Sequence, residues 1–318
     1  LKKGQCSMNI KKTFLTKGIT MEFTINTDHN LFKRLSENPP EWWGNLIRDS
    51  DLYIDIRKNN YINVYYNGGS IMKLEGNRDY KAEIHFEYIP LKRTGNYLSL
   101  EFAESQVTIP DIESVSLNNF DAESLRLIKN RISKFYPNYS EKGLQGQYVT
   151  KNNQNEKSNG FFIDTELQFD GGRVDLVWVD LHRKEIFLVE LKTMGDKRLY
   201  LESTESGSIH KQLEKYGDFG KGNLSKLIEY YNNIFQIKNK LKILPPFVDA
   251  DSLRNFTISE KPILLIGDCS QVWIDRNCSD INKKISTVAH SCIYQGGKTF
   301  DFSVPNKTVK NTTFFEQI

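Results

Sequence analysis

Residues 161–193, FFIDTELQFDGGRVDLVWVDLHRKEIFLVELKT, constrain the fold more than any other stretch of the chain. Three strand-like runs, at 161–169, 173–179 and 185–191, are separated by a Gly-Gly pair and by a charged turn. Short apolar runs bounded by such turn signals are typical of buried strands. The segment therefore predicts three buried strands, the last two of which form a hairpin.

Four charged residues interrupt these apolar runs: Glu166, Asp175, Glu190 and Lys192. Buried strands rarely carry carboxylates, because an unpaired charge is costly to desolvate. Glu190 and Lys192 are two residues apart, so their side chains point to the same face of a strand. A hairpin that turns at residues 182–184 would bring Asp175 beside them. The pattern predicts a compact cluster of two carboxylates and one ammonium.

The composition indicates an ordinary globular protein. The 318 residues include 43 basic and 40 acidic side chains, a net charge of +3 that neither requires nor excludes a nucleic-acid partner. We find no apolar run long enough to cross a bilayer and no signal-peptide pattern, so a cytoplasmic location without membrane contact is expected. The cysteines form no CxxC pair and are expected to be reduced thiols. A zinc site is disfavoured because the spacing of the candidate ligands fits no common zinc motif: Cys269, Cys278, His290 and Cys292.

The first third of the chain predicts a β-rich domain, residues 1–112, with a role in recognition or interaction. After a lysine-rich segment at 1–21, the sequence predicts helices at 28–36 and 42–49 and an antiparallel meander with strands at 52–56, 61–66, 81–88 and 97–102. The region is rich in aromatic residues. We interpret these as sheet packing rather than as a platform for stacked bases: Trp42, Trp43, Tyr53, Tyr61, Tyr65 and Tyr66.

The remainder, residues 113–318, predicts a second domain. A helix at 121–136 has Asp121 as its N-cap, and the polar residues 142–160 are expected to form a loop. Residues 195–208 are predicted to be a lid or a substrate-contacting loop. From Ser208, a helix places Gln212 and Tyr216 on one inward face. The sequence then predicts a helix at 223–241, a buried strand at 261–267, and short strands and turns to the end.

The order helix, three strands, helix, strand, together with three motifs, resembles the PD-(D/E)XK nuclease superfamily. The motifs are Asp175, the triplet Glu190-Leu191-Lys192, and a RecB-like Gln-x-x-x-Tyr pair formed by Gln212 and Tyr216. The resemblance covers about residues 115–270, and Val174 stands where the family often has proline. It implies an α+β (or α/β) fold with a restriction-endonuclease-like core, αβββαβ, in which helices flank a mixed central sheet.

The resemblance also implies residue roles. Asp175, Glu190 and the Leu191 carbonyl would bind Mg²⁺ or Mn²⁺, with Glu166 as an additional ligand ranked above Asp164. Lys192, with a pKa lowered by its surroundings, would orient or deprotonate the attacking water. Two further roles follow: Gln212 and Tyr216 would brace the site or contact phosphate, and Arg173 would position phosphate.

From this resemblance we expect a metal-dependent endonuclease that acts on DNA in preference to RNA. The expected role is restriction or phage defence, and a homodimer would suit the cutting of both strands. The alternative is a nuclease-fold protein that binds nucleic acid without cutting it. A third hypothesis, a carbohydrate- or protein-binding β domain with an incidental α/β partner, leaves the charged cluster unexplained.

Overall fold

The computed structural model describes residues 23–89, 97–102, 107–109, 118–249, 254–296 and 300–305. These residues form a mixed α+β fold with two sheets, which confirms the predicted fold class at that level. The lysine-rich segment and the predicted domain boundary at 112/113 lie outside the described residues. No helix in these ranges is both long and apolar enough to span a bilayer.

The first sheet is an antiparallel meander in chain order, as the alternation of apolar residues predicted. Two short helices precede it, α1 (Asn30–Glu37) and α2 (Glu41–Arg48). The predicted strand at 81–88 ends at His85, where a 3-10 helix begins, and the sequence analysis missed the third strand. The strands are β1 (Leu52–Arg57), β2 (Tyr61–Tyr66), β3 (Gly69–Glu75), β4 (Lys81–His85), β5 (Tyr97–Phe102) and β6 (Val107–Thr108).

The second sheet contains the three strands predicted from residues 161–193. It has the order β12-β11-β9-β8-β7, with β10 also paired to β9. The pairs β7–β8 and β8–β9 are antiparallel, whereas β9, β11 and β12 run parallel. The strands are β7 (Gly160–Phe169), β8 (Gly172–Asp180), β9 (Glu185–Thr193), β10 (Thr257–Ile258), β11 (Ile263–Gly267) and β12 (Ser291–Tyr294).

The three helices predicted after residue 120 are confirmed, like the two that precede the first sheet. Asp121 caps α3 (Ala122–Phe135) by accepting a hydrogen bond from the amide of Ser124. Ser208 caps α5 (Ile209–Gly222) in the same way, and α6 (Leu224–Lys240) follows directly. A capping side chain satisfies an amide that has no partner within the helix, and these caps indicated the starts of α3 and α5 in the sequence.

The predicted loop at 142–160 is wrong: these residues belong mainly to a helix, α4 (Glu141–Gln154). Its glycines and amide side chains suggested a loop, but its glycines allow close packing of the helix against its neighbours. A Cβ at Gly146 would lie 2.6 Å from the Cα of Asn67, so only glycine lets this helix approach the β2–β3 turn. Ser140 accepts a hydrogen bond from the Gly143 amide, and this N-cap was the signal that could have revealed the helix.

The prediction of only short strands and turns after residue 267 is also wrong, because it omits α7 (Gln271–Ile285). Ser270 caps this helix through the Trp273 amide. Ile274, Ile281 and Ile285 fall on one buried face, the spacing of an amphipathic helix.

Of the six N-terminal aromatic residues, Trp42, Trp43, Tyr53 and Tyr65 are buried, whereas Tyr61 and Tyr66 are half-buried. Trp43 is fully buried and Trp42 is 3% exposed. One continuous apolar cluster contains residues of both sheets, including Ile54 on β1 and Val174 on β8. The first sheet therefore packs directly against the strands that carry the charged cluster.

A buried ionic network joins the two sheets beside this apolar cluster. The guanidinium of Arg57 on β1 donates to Asp164 Oδ1 on β7 at 2.6 Å and to Asp55 Oδ2 at 2.9 Å. It also donates to the carbonyl of Thr165. Lys238 on α6 completes the network, with its Nζ 3.7 Å from Asp55 Oδ1. Two buried acids are thus paired with two buried bases, as charges removed from water require.

Candidate active site

The β8–β9 hairpin brings the two predicted carboxylates together. Leu176 pairs with Val189, which places Asp175 across from Glu190 on neighbouring strands. Asp175 is 8% exposed and Glu190 1% exposed. The amide of Leu191 donates to Asp175 Oδ2 at 3.0 Å, so the backbone of β9 fixes the Asp175 carboxylate.

The ammonium of Lys192 lies at the centre of this cluster. It contacts Glu190 Oε1 directly and donates to the Leu191 carbonyl at 2.6 Å. Its Nζ is also 3.5 Å from Asp175 Oδ2 and 3.5 Å from Glu141 Oε2. Oxygens from three carboxylates and one carbonyl therefore surround a single positive charge.

Gln212 and Tyr216, one turn apart on α5, hold both oxygens of Glu190. Gln212 Nε2 donates to Glu190 Oε1 at 2.6 Å, and Tyr216 Oη lies 2.6 Å from Glu190 Oε2. The two side chains also contact each other at 3.0 Å. The helical face predicted from the sequence thus braces the central carboxylate. Arg198 extends the chain of contacts, because its Nη1 donates to Gln212 Oε1 at 3.3 Å.

Helix α4 supplies site residues that the sequence analysis missed. Glu141, in its first turn, reaches the Lys192 ammonium, as described above. Gln145 donates to the backbone carbonyl of Asp175 at 3.1 Å and so ties the helix to β8. Glu141 was missed because the helix that it begins was predicted to be a loop from residue 142 onward.

Glu166 lies near the site but is directed to other partners. The pairs Thr165–Leu176 and Leu167–Val174 place it across from Asp175. Its backbone has a φ of 52°, in the left-handed region that interrupts the strand's regular alternation. The carboxylate contacts Lys142, and it lies 3.5 Å from Arg173 Nη1.

Asp164 does not belong to the site, because its carboxylate is engaged by Arg57. The β7–β8 register shifts between Phe162 and Asp164, and Glu166 is left-handed, so simple alternation fails here.

The site concentrates negative charge. With all groups ionised, three carboxylates and one ammonium carry a formal charge of −2. Burial, reinforced by the nearby Asp175 charge, raises the pKa of Glu190 to about 8 against the opposing effect of Lys192. Burial also raises the pKa of Glu141. A carboxyl group with a raised pKa binds a proton more readily, and the neutral form does not repel the neighbouring carboxylates.

The expected lowering of the Lys192 pKa is wrong. Burial favours the neutral amine, but the carboxylates of Glu190, Asp175 and Glu141 outweigh it and raise the pKa. Lys192 therefore remains a protonated hydrogen-bond donor among these groups.

The donor set suits a hard divalent cation. Asp175, Glu190 and the Leu191 carbonyl offer oxygen ligands, and Mg²⁺ binds through one or two carboxylates while keeping several waters. A charge of +2 would balance the cluster. Within the described ranges, no three His, Cys, Asp or Glu side chains are arranged as a metal-binding group, including the cysteines considered for zinc.

No protein-family model matches the chain, and comparisons with curated proteins and with solved structures likewise find no match.

Proposed function

We propose that this protein is a metal-dependent nuclease that hydrolyses phosphodiester bonds in DNA. The observation that carries the proposal is the ring of oxygens around the Lys192 ammonium, in which Gln212 and Tyr216 clamp the central Glu190. A structural ion pair needs one carboxylate for one ammonium. Here three carboxylates converge on a single ammonium, which leaves an excess of negative charge unless a carboxyl group is protonated or a further cation binds.

A restriction-endonuclease-like core is part of this proposal. Its support is the succession of α4, the antiparallel strands β7, β8 and β9, α5, and β11 parallel to β9. The resemblance took the helix at 121–136, which is α3, as its first element, whereas α4, which was predicted as a loop, lies directly before β7. Helix α6 and strand β10 are inserted before β11. A role in restriction or phage defence extends the same proposal.

Asp175, Glu190 and the Leu191 carbonyl would hold the metal, with Glu141 adjacent. A bound Mg²⁺ or Mn²⁺ supplies Lewis-acid stabilisation of phosphate oxygens and lowers the pKa of coordinated water. The protonated Lys192 donates hydrogen bonds toward the phosphate and the attacking water, and it offsets developing negative charge. Gln212 and Tyr216 keep the Glu190 carboxylate in a fixed orientation, which preorganises the site.

The test is cleavage of plasmid and of linear single-stranded DNA by the purified protein, with Mg²⁺, with Mn²⁺ and with EDTA. We expect metal-dependent cutting that Asp175→Asn abolishes. Lys240→Met is the control, since this exposed lysine pairs with Asp28 on another part of the surface. DNA binding without cutting under every metal condition would instead support the non-catalytic alternative. Cutting by Asp175→Asn at the wild-type rate would contradict the site.

Metal affinity is expected to rise with pH. Before a cation binds, Glu190 has a pKa of about 8, so at lower pH the metal must displace its proton. Affinity should therefore increase by up to about tenfold per pH unit from about pH 6 to pH 8 and then level off. Calorimetric titration with Mn²⁺ in buffers of different ionisation enthalpy measures both the affinity and the protons released. Glu190→Gln should bind weakly with a flatter pH profile, and a flat wild-type profile would contradict this assignment.

A further inference from the structure

Two aromatic side chains, Tyr200 and Trp273, lie at the surface on elements that follow strand β9 in the chain. Tyr200 is 47% exposed. The indole Nε1 of the partly buried Trp273 donates to Tyr200 Oη at 2.9 Å. We refer to Tyr200 and Trp273 as the aromatic patch.

The patch is held in place although it is exposed. Tyr200 Oη donates to the Met194 carbonyl at 2.6 Å, and Lys284 Nζ donates to the Tyr200 carbonyl at 3.2 Å. The preceding residue, Leu199, is fully buried in an apolar cluster that includes Ile274. An aromatic ring that is fixed in advance loses little conformational entropy when a flat ligand stacks on it.

The patch is connected to the site through a short basic segment. A 3-10 helix, Lys197–Leu199, directly precedes Tyr200. Arg198 is held by Asp196, with Nη2 to Oδ2 at 2.5 Å, and its Nη1 donates to Gln212, which in turn contacts Glu190. The Arg198 side chain remains 40% exposed and Lys197 is exposed. Arg198 therefore links the segment that carries Tyr200 to the carboxylate cluster through Gln212.

We propose that the aromatic patch is a stacking platform for a nucleobase of single-stranded DNA next to the scissile phosphate. The inference rests on the proposed nuclease function. Aromatic rings beside a cationic track are the combination that binds single strands independently of sequence, because every base has a face that can stack and every linkage has a phosphate. Arg198 and Lys197 contact the backbone, and Tyr200 and Trp273 contact the base.

Tryptophan fluorescence can report on this platform almost selectively. The chain has four tryptophans, and Trp42, Trp43 and Trp178 are at most 3% exposed. Titration with a short oligothymidine in EDTA, which prevents cutting, is therefore expected to quench Trp273 and to protect it from acrylamide.

Variants at Tyr200 then separate stacking from charge. Tyr200→Ala should weaken oligothymidine binding by about 5- to 100-fold, while the dependence on salt stays unchanged because no phosphate contact is lost. Tyr200→Phe keeps the ring and should bind within about threefold of the wild type. The control is Tyr97→Ala, which removes a tyrosine that is 63% exposed on β5 and should leave binding unchanged.

The outcomes distinguish this inference from the nuclease proposal. Unchanged Trp273 emission at saturating oligothymidine, or unchanged affinity in Tyr200→Ala, overturns the platform even if metal-dependent cleavage is present. Failure of oligothymidine to bind, with plasmid cutting intact, overturns it as well and leaves the patch available to a protein partner. A third outcome is that oligothymidine quenches Trp273, that Tyr200→Ala weakens this binding, and that the protein never cuts DNA. This result upholds the platform and contradicts the nuclease proposal.

Discussion

Lys192→Met lowers the rate of DNA cleavage by about 10²- to 10³-fold and leaves metal binding intact or stronger. The loss is expected because the variant removes the ammonium at the centre of the cluster, which offsets charge developing on the phosphate. A loss of this size is usual for a single preorganised donor. Binding is retained because the ammonium occupies the space among the same oxygens that would bind the cation. Removing it relieves that competition.

The measurement combines single-turnover cleavage with calorimetric titration of Mn²⁺. Methionine preserves much of the buried stem, but it leaves Glu190 and Asp175 without their counter-charge. We therefore expect lower thermal stability without metal and a larger rise in Tm on adding Mn²⁺ than in the wild type. A wild-type cleavage rate in Lys192→Met would show that the lysine has no part in the chemistry.

Arg57→Met is expected to cost about 3–5 kcal/mol of folding free energy, the range for removing one partner of a buried ion pair. The variant leaves Asp55 and Asp164, both at most 2% exposed, with Lys238 as the remaining base of the network described above. It also removes the hydrogen bond to the Thr165 carbonyl that ties β1 to β7.

The loss of folding free energy in Arg57→Met should depend on pH. Burial already raises the pKa of Asp164 to about 7 against the opposing effect of Arg57, so loss of the guanidinium raises it further. A folded-state pKa above the unfolded value means that the folded state binds the extra proton, so stability falls as pH rises. Urea denaturation should therefore show a larger loss at about pH 8 than at about pH 6.

Lys73→Met is the matched control for this experiment. It breaks the Lys73–Glu75 pair on β3, in which the two side chains are 38% and 50% exposed. Such a surface pair contributes at most about 1 kcal/mol. An equal, pH-independent loss in both variants would contradict the view that the Arg57 network locks the two sheets together.

The parts of the site that lie in regular elements could be predicted from the sequence. On strand β9, a two-residue spacing places Glu190 and Lys192 on one face, and on helix α5 a four-residue spacing stacks Gln212 and Tyr216. These periodicities are local, so the sequence alone indicates which side chains share a face. The turn between β8 and β9 then sets the position of Asp175.

The missed parts depend on contacts between distant residues. Gly146 reads as a loop residue, yet it belongs to a helix because it packs against Asn67, far away in the chain. Arg57 reads as an ordinary strand residue, and its role depends on Asp164 across the sheet interface. Glu166 leaves the regular alternation because its backbone is left-handed. Periodicity carries no information about such contacts.

The most direct test of a cation site on the β8–β9 hairpin is anomalous scattering from crystals soaked in Mn²⁺. We predict a peak bounded by the Asp175 and Glu190 carboxylates and the Leu191 carbonyl, with metal–oxygen distances of about 2.0–2.3 Å. The Lys192 ammonium should have moved away from Glu190, and the peak should be lost in crystals of Asp175→Asn. If crystals soaked in saturating Mn²⁺ show no peak there and the Lys192–Glu190 contact is unchanged, the proposed cation site is contradicted.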